Sequence, residues 1–317
     1  MMTLKNLKFA LNAIQWINVK EDPADPNSAN LWRYADPHFV NEYPDVLAEI
    51  HDAGFSAAMM EVLDTQTLQN YRAMLEACGL EAAPGYLQVR LPSDHGVSLQ
   101  RGSSEWIHWF DLVRRRAEES NFMGLRTVFL AAEVDQTLRN PRMGKAAAVG
   151  CDFDRARLDE CVEMLTAAAE VLRAEGIHAG LHNHVGTWVE TELEIDYVLD
   201  NVDPDLLGAS FDIGHLEWAG IDAPRMITKY ADRIVDLHIK DLDLALARES
   251  REHPAPYFDW SDRGLFLEPG LGEVDIVGAL RALPVGFDGW VIVEVDRASM
   301  DPSDSARVTA RWVAELD

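Results

Sequence analysis

The chain has 317 residues, 48% of them hydrophobic, with 54 acidic against 28 basic side chains and a formal net charge of −26 at pH 7. That length exceeds one ordinary domain but suits a single α/β barrel. The charge argues against nucleic acid and anionic membranes as partners, because both require phosphate neutralisation, and no run of about 18 apolar residues offers a membrane span.

The opening stretch MMTLKNLKFALNAIQW has no continuous apolar segment and no small-residue cleavage site, so no secretory signal is expected. Cys78, Cys151 and Cys161 form no CxxC pair. Such a sparse, odd set suits a reducing cytoplasm.

In chain order, short apolar runs alternate with longer amphipathic ones. Strands are expected at 7–15, 55–62, 80–88, 125–133, 177–184, 206–212, 233–240 and 288–295. Helical spacing of apolar residues fills the gaps. FVNEYPDVLAEIHDAG and DRARLDECVEMLTAAAEVLRAEG end on Gly54 and Gly176, a common place for a helix to stop. SDSARVTARWVAEL closes the chain. Eight such units predict an α/β fold, a single (β/α)8 TIM barrel over residues 1–317. A doubly wound sheet would want a glycine-rich phosphate loop after its first strand, and AIQWINVKEDP is not one. The segment 241–271 is long for a connection and rich in aromatic residues from Tyr257 to Phe266. It reads as a lid or a contact surface.

In such a barrel the chemistry sits where the strands end. Strand 2 ends in Glu61, strand 4 in Glu133, strand 5 in His182-Asn183-His184, strand 6 in Asp212 and His215, strand 7 in His238, Lys240 and Asp241, and strand 8 in Glu294. A lone histidine in a strand is ordinarily a hydrogen-bonded core residue, and a lone acid ordinarily a cap. Four of the last five strands repeating the pattern at one end is different, because buried charge is costly unless paired or bound to metal. Asp212, His238 and Glu294, with His184 or another strand-5 group, make a mixed oxygen and nitrogen donor set. Such a set suits Mn²⁺, Fe²⁺, Co²⁺ or Zn²⁺. Alternation along a strand puts His182 and His184 on one face, so that one can reach a metal while the other is free for proton transfer or substrate contact.

The stretches LHNHVGTWVET, SFDIGHLEWAG, DLHIKDL, GLFLEPGLGEVDI and FDGWVIVEVDRASMDP, in this order from about 177 to 302, resemble the xylose isomerase-like superfamily of TIM barrels, with the nearest likeness to its inosose dehydratases. The resemblance implies a divalent metal, Mn²⁺ first, held by His184, Asp212, His238 and Glu294, with His184 standing where many relatives have glutamate. It implies proton abstraction beside the carbonyl of a keto-sugar or keto-cyclitol, with His182, His215, Glu190 and Glu133 as acid–base candidates and Lys240 polarising an oxygen or holding substrate. Elimination is the expected outcome. The alternatives are sugar isomerisation or epimerisation, or cleavage of a 3-keto-glycoside with a partner subunit; a non-catalytic sugar-binding barrel comes last. A homo-oligomer is a further expectation.

Overall fold

The computed structural model describes residues 3–22, 25, 28–134 and 141–317. Its frame is a ring of parallel strands: β1 (Lys8–Leu11), β2 (Ala57–Met59), β3 in two pieces (Glu81–Ala83 and Tyr86–Val89), β4 (Thr127–Ala132), β5 (His178–Leu181), β6 (Leu207–Ala209), β7 (Leu237–Ile239) and β8 (Trp290–Val293). Pairing runs β7–β8–β1–β2 into the first half of β3 and from its second half through β4 and β5 to β6. The bridges Ala209 to Ile234 and Asp212 to His238 close β6 onto β7. The strands are shorter than the sequence runs that predicted them.

The break in β3 has a local cause. Pro84 offers no N–H to the ladder, and Gly85 sits so close to β2 that a Cβ there would meet the Met60 carbonyl oxygen at 2.8 Å.

Among the described residues one outer helix follows each strand: α1 (Phe39–Ala53), α2 (Leu68–Cys78), α3 (Asp111–Phe122), α4 (Arg155–Ala174), α5 (Glu192–Asn201), α6 (Ala223–Lys229), α7 (Ile276–Arg281) and α8 (Pro302–Ala314). Their starts follow from capping side chains. Asp154 accepts from Ala156 N ahead of α4, and Asp301 from Ser303 N ahead of α8. α1 stops at Gly54, whose φ of +121° a side chain would resist.

The apolar faces of these helices and the outward residues of the strands form one large core. A smaller core of Ala10, Ala57, Met59, Ala83, Phe129 and Ile292 fills the barrel itself. That inner core sets parity. Counting by twos from Met59 and Ile292 brings Glu61 and Glu294 to the inner face at the C-terminal mouth. Gly180 belongs to the inner face as well, because a Cβ there would meet Ser210 Oγ at 1.9 Å.

The predicted long segment after β7 is built rather than loose. Asp241–Leu242 pairs antiparallel with Phe266–Leu267, and two helices, Leu244–Glu252 and Tyr257–Ser261, lie between. The Asp241 carboxylate ties the segment down by accepting from Gly270, Gly272 and Val274 N–H groups at 2.8–3.0 Å. A second hairpin, Asn18–Lys20 with Asn30–Trp32, rises beside β1.

Candidate functional site

At the C-terminal mouth, His182, Asp212 and His238 bring ligand atoms within 4.8 Å of one another, and all three are buried. Asp212 Oδ2 lies 3.9 Å from His182 Nε2 and 3.7 Å from His238 Nδ1. Glu294 Oε2 stands 2.8 Å from His238 Nδ1. The backbone explains the convergence. Asn183 uses both ends of its amide on the Asp212 peptide, accepting from Asp212 N at 3.0 Å and donating to Asp212 O at 3.1 Å. The tops of β5 and β6 are thereby locked together. Asp212 Oδ1 caps the short helix Ile213–Trp218 by accepting from His215 N, which leaves Oδ2 for the cluster.

His182 Nδ1 and His238 Nε2 have no hydrogen-bond partner among the described residues, while Asp212 Oδ2 and His238 Nδ1 meet the charged groups of Lys240 and Glu294 and each other. Unsatisfied buried polar atoms are costly and scarce. One ligand atom each from His182, Asp212 and His238, on three neighbouring strand ends and of oxygen and nitrogen type with no thiolate, fits a divalent cation.

Of the two strand-5 histidines, the geometry brings His182 into the cluster. The ladder ends at His182, whose N–H donates to Leu130 O at 2.8 Å. His182 therefore keeps the inward parity of Gly180 and faces Asp212 and His238. His184 lies one step past the ladder, in a turn where its Nδ1 donates to Val185 O at 2.7 Å. Its ring stacks near Tyr257 and lies 3.9 Å from the ring of His215, lining the cavity above the cluster. The parity argument presumed that the strand ran on to 184.

Lys240 is buried against the cluster. Its Nζ is 3.1 Å from Asp212 Oδ2, 3.5 Å from Glu294 Oε1 and 2.9 Å from both oxygens of Asp296, and it donates to His215 Nε2 at 3.1 Å. Asp296 also accepts from Tyr257 OH at 2.8 Å. Lys240 thus pairs with Asp296, not with its neighbour Asp241. Charge and burial compete here. Burial pulls Lys240 down, but Asp212, Asp296 and Glu294 outweigh it and hold the ammonium charged. Burial pushes Asp296 up, with the charges of Glu294 and Asp212 adding to it. Burial, helped by His238, His184 and Lys240, keeps His182 well below the usual imidazole range. His184 is pushed down to about 4 by burial and Lys240. Burial also opposes the charged form of His238, yet Asp212 and Glu294 prevail and raise it.

A cavity of about 290 Å³ opens above the cluster. His182, His184, His238, Glu294 and Asp296 form one wall. Glu61, Tyr34, Tyr86 and Gln88 add polar lining, Tyr86 packing edge-on against His182 at 5.1 Å, and Trp32, Met143, Tyr257 and Phe258 add apolar and aromatic lining. Tyr257 and Phe258 come from the aromatic segment that the sequence marked as a lid or contact.

Two expected acid–base residues stand elsewhere. Glu190 is buried behind the β5 turn, accepting from Gly186 N at 2.7 Å, Gly150 N at 2.8 Å and Ala148 N at 3.1 Å, with Arg142 at 3.8 Å. Glu133 pairs with His95 at 2.6 Å. Neither lines the cavity. His215 and Lys240 lie behind the wall, in contact with its acids. Conversely, Asp296 and Tyr34 escaped the sequence reading. Asp296 had a signal, since it lies two residues beyond Glu294 on the same face. Tyr34 had none, because the hairpin that brings it in is not legible as strands.

Residues 47–316 match a family model described as xylose isomerase-like TIM barrel. Among curated proteins, an inosose dehydratase of Geobacillus kaustophilus (strain HTA426) is 28% identical over 282 residues, 88% of each chain. Among solved structures, a zinc-bound IolI protein superposes with a TM-score of 0.61 at 16% identity, covering 97% of this chain and 96% of that one. A magnesium complex from Mycobacterium smegmatis gives 0.63 at 16% identity, covering 100% and 98%. A D-allulose 3-epimerase from Methylomonas sp. gives 0.65 at 16% identity, covering 100% and 99%. No helix among the described residues is long and apolar enough to cross a membrane.

Proposed function

Because this chain belongs to the xylose isomerase-like TIM barrel family, we propose that it is a divalent-metal-dependent lyase. It removes a proton beside the carbonyl of a keto-cyclitol or keto-sugar and expels water from the next carbon, the reaction class for which its curated relative is named. The observation that carries this reading is the buried cluster of Asp212, His182 and His238, with Glu294 beside it, under a cavity of about 290 Å³. His182, Asp212, His238 and Glu294 would hold the metal, with Mn²⁺ preferred over Co²⁺, Fe²⁺ or Zn²⁺. When bound, the cation supplies Lewis-acid stabilisation of the charge that develops on the carbonyl oxygen.

The remaining steps belong to the side chains. His184 donates its Nδ1 proton to Val185 O. Its Nε2 therefore carries the lone pair, and from the cavity wall it accepts the carbon-bound proton. Lys240 and His215 act from behind the wall by fixing the Asp212, Glu294 and Asp296 carboxylates. In this reading Glu190 and Glu133 shape the mouth and take no part in proton transfer. The three free thiols fit a reducing cytoplasm. The aromatic rim favours one second reading. Trp32 is 41% exposed at the edge of a cavity that Phe258 also lines. A 3-keto-glycoside could rest its aglycone there, and cleavage would expel that group in place of water.

The test is metal analysis of the purified protein, then a panel of keto-inositols, ketohexoses and 3-keto-glycosides read by mass. Loss of one water from a keto-inositol supports the lyase. Unchanged mass with a new retention time marks epimerisation. A metal-free protein that transforms nothing overturns the reading.

A further inference from the structure

Glu61 lies two residues past Met59, on the inner face at the end of β2, and lines the same cavity as His182, His238 and Glu294. The structure holds its peptide unusually firmly. Tyr43 OH donates to Glu61 O at 3.0 Å, and Glu61 N donates to Tyr71 OH at 3.2 Å. Tyr71 OH in turn donates to Met59 O at 3.3 Å, and the rings of Tyr43 and Tyr71 stack at 6.1 Å. Both tyrosines are fully buried. The carboxylate itself accepts one phenol, Tyr34 OH at 3.0 Å, and lines the cavity.

Contrast with the structural acids is instructive. Glu190 has three backbone N–H donors and an arginine; Asp241 has three N–H donors from its loop. Those donors favour the ionised carboxylate, although burial raises both carboxyls above their usual range. Glu61 receives a single neutral donor. Arg116, whose charge favours ionised Glu61, also pairs with Glu119 at 3.2 Å. A buried carboxyl with one donor, facing open cavity, is arranged to carry a proton and give it up.

We propose that Glu61 is the general acid that protonates the departing hydroxyl. The inference rests on the lyase reading above. The C–H bond beside the carbonyl breaks, its proton passing to His184 Nε2 and its electron pair becoming the new C=C bond. The C–O bond at the next carbon breaks with its pair on oxygen. That oxygen takes the Glu61 proton and leaves as water. Glu61 is then a carboxylate and His184 an imidazolium, and solvent exchange restores both. His184, just past β5, and Glu61, just past β2, line one cavity, so a bound ring can meet both. Burial is consistent with this role, since it raises the Glu61 carboxyl to about 7, Glu294 adding and Arg116, Tyr34 and His238 opposing.

The experiment separates the two proton transfers. Wild type and Glu61→Gln are given 2-keto-myo-inositol in D2O, with α-deuteration read by NMR and water loss by mass. Metal content and thermal midpoint are measured alongside. Glu61→Gln should keep its metal and its α-exchange and lose elimination by about 10²–10⁴-fold, the range a general acid supplies. Tyr34→Phe, which keeps the acid and loosens it, should lower the elimination-to-exchange ratio in the same direction by less, and it decides the matter if Glu61→Gln fails to fold. Equal loss of exchange and elimination, or full elimination without Glu61, overturns the assignment while the lyase reading stands. A wild type that neither exchanges nor eliminates refutes the lyase reading, and the role of Glu61 falls with it.

Discussion

Glu190 is the residue on which sequence and geometry part most sharply, so its replacement by alanine is informative. Three backbone N–H groups, from Ala148, Gly150 and Gly186, lose an acceptor at 2.7–3.1 Å, and buried Arg142 loses one of its two carboxylate neighbours. Each hydrogen bond to a charged acceptor contributes about 1.5–3 kcal/mol, although such terms do not simply add. Arg142 keeps its two contacts to Glu194, at 2.6 and 3.1 Å, so the charge is not stranded. A net loss of about 3–5 kcal/mol follows, the range for a broken buried pair. At about 2 °C per kcal/mol for a chain of this size, the midpoint should fall by about 6–10 °C in calorimetry. Turnover per folded molecule, measured well below that midpoint, should change less than about threefold, because the residue touches nothing in the cavity. A variant with an unchanged midpoint and a hundredfold lower turnover, about 2.7 kcal/mol in barrier, would return Glu190 to the chemistry and refute the structural assignment.

The remaining predictions concern the cluster and its frame. Asp212→Ala should release the metal as read by elemental analysis, since its Oδ2 is the atom the two histidines share. Chelation should lower the midpoint of the wild type, because a cation present at a hundred times its dissociation constant stabilises the fold by about 2.7 kcal/mol; Asp212→Ala should show no such response. Metal affinity should weaken as pH falls through neutrality. The raised His238 pKa means that a proton occupies the ligand below that value and must leave before metal binds, whereas above it the imidazole is neutral and available. Titration calorimetry at several pH values reads this directly, and a pH-independent constant would contradict it. Gly180→Ala should destabilise by about 1–3 kcal/mol or more in denaturant melts, because the new methyl group meets Ser210 Oγ at 1.9 Å; a neutral effect would place Gly180 off the inner face.

The barrel was legible because eight apolar runs and their amphipathic partners repeat, and because Gly54 and Gly176 mark helix ends by simple local chemistry. The cluster was legible because Asp212, His238 and Glu294 all sit at one end of their strands, and parity then does the rest. What failed was the point at which parity stops. His182 and His184 look equivalent in sequence, yet only the ladder bond from His182 N to Leu130 O decides which one still belongs to the strand. Glu190 misled for a related reason. Its neighbours in the chain say nothing of the Ala148–Gly150 backbone that folds over it, a contact across some forty positions. Glu61 was visible as a strand end, but its meaning lies in Tyr34, Tyr43 and Tyr71, which arrive from three separate elements.

Anomalous diffraction from crystals soaked in Mn²⁺ tests the central claim most directly. One peak is expected at the C-terminal mouth, about 2.0–2.2 Å from the carboxylate oxygens of Asp212 and Glu294 and from ring nitrogens of His182 and His238, the usual range for oxygen and nitrogen ligands on such ions. A peak bounded by His184 in place of His182 would contradict the strand-5 assignment. No peak at millimolar metal would contradict the metal centre itself, and with it the lyase chemistry proposed for this barrel.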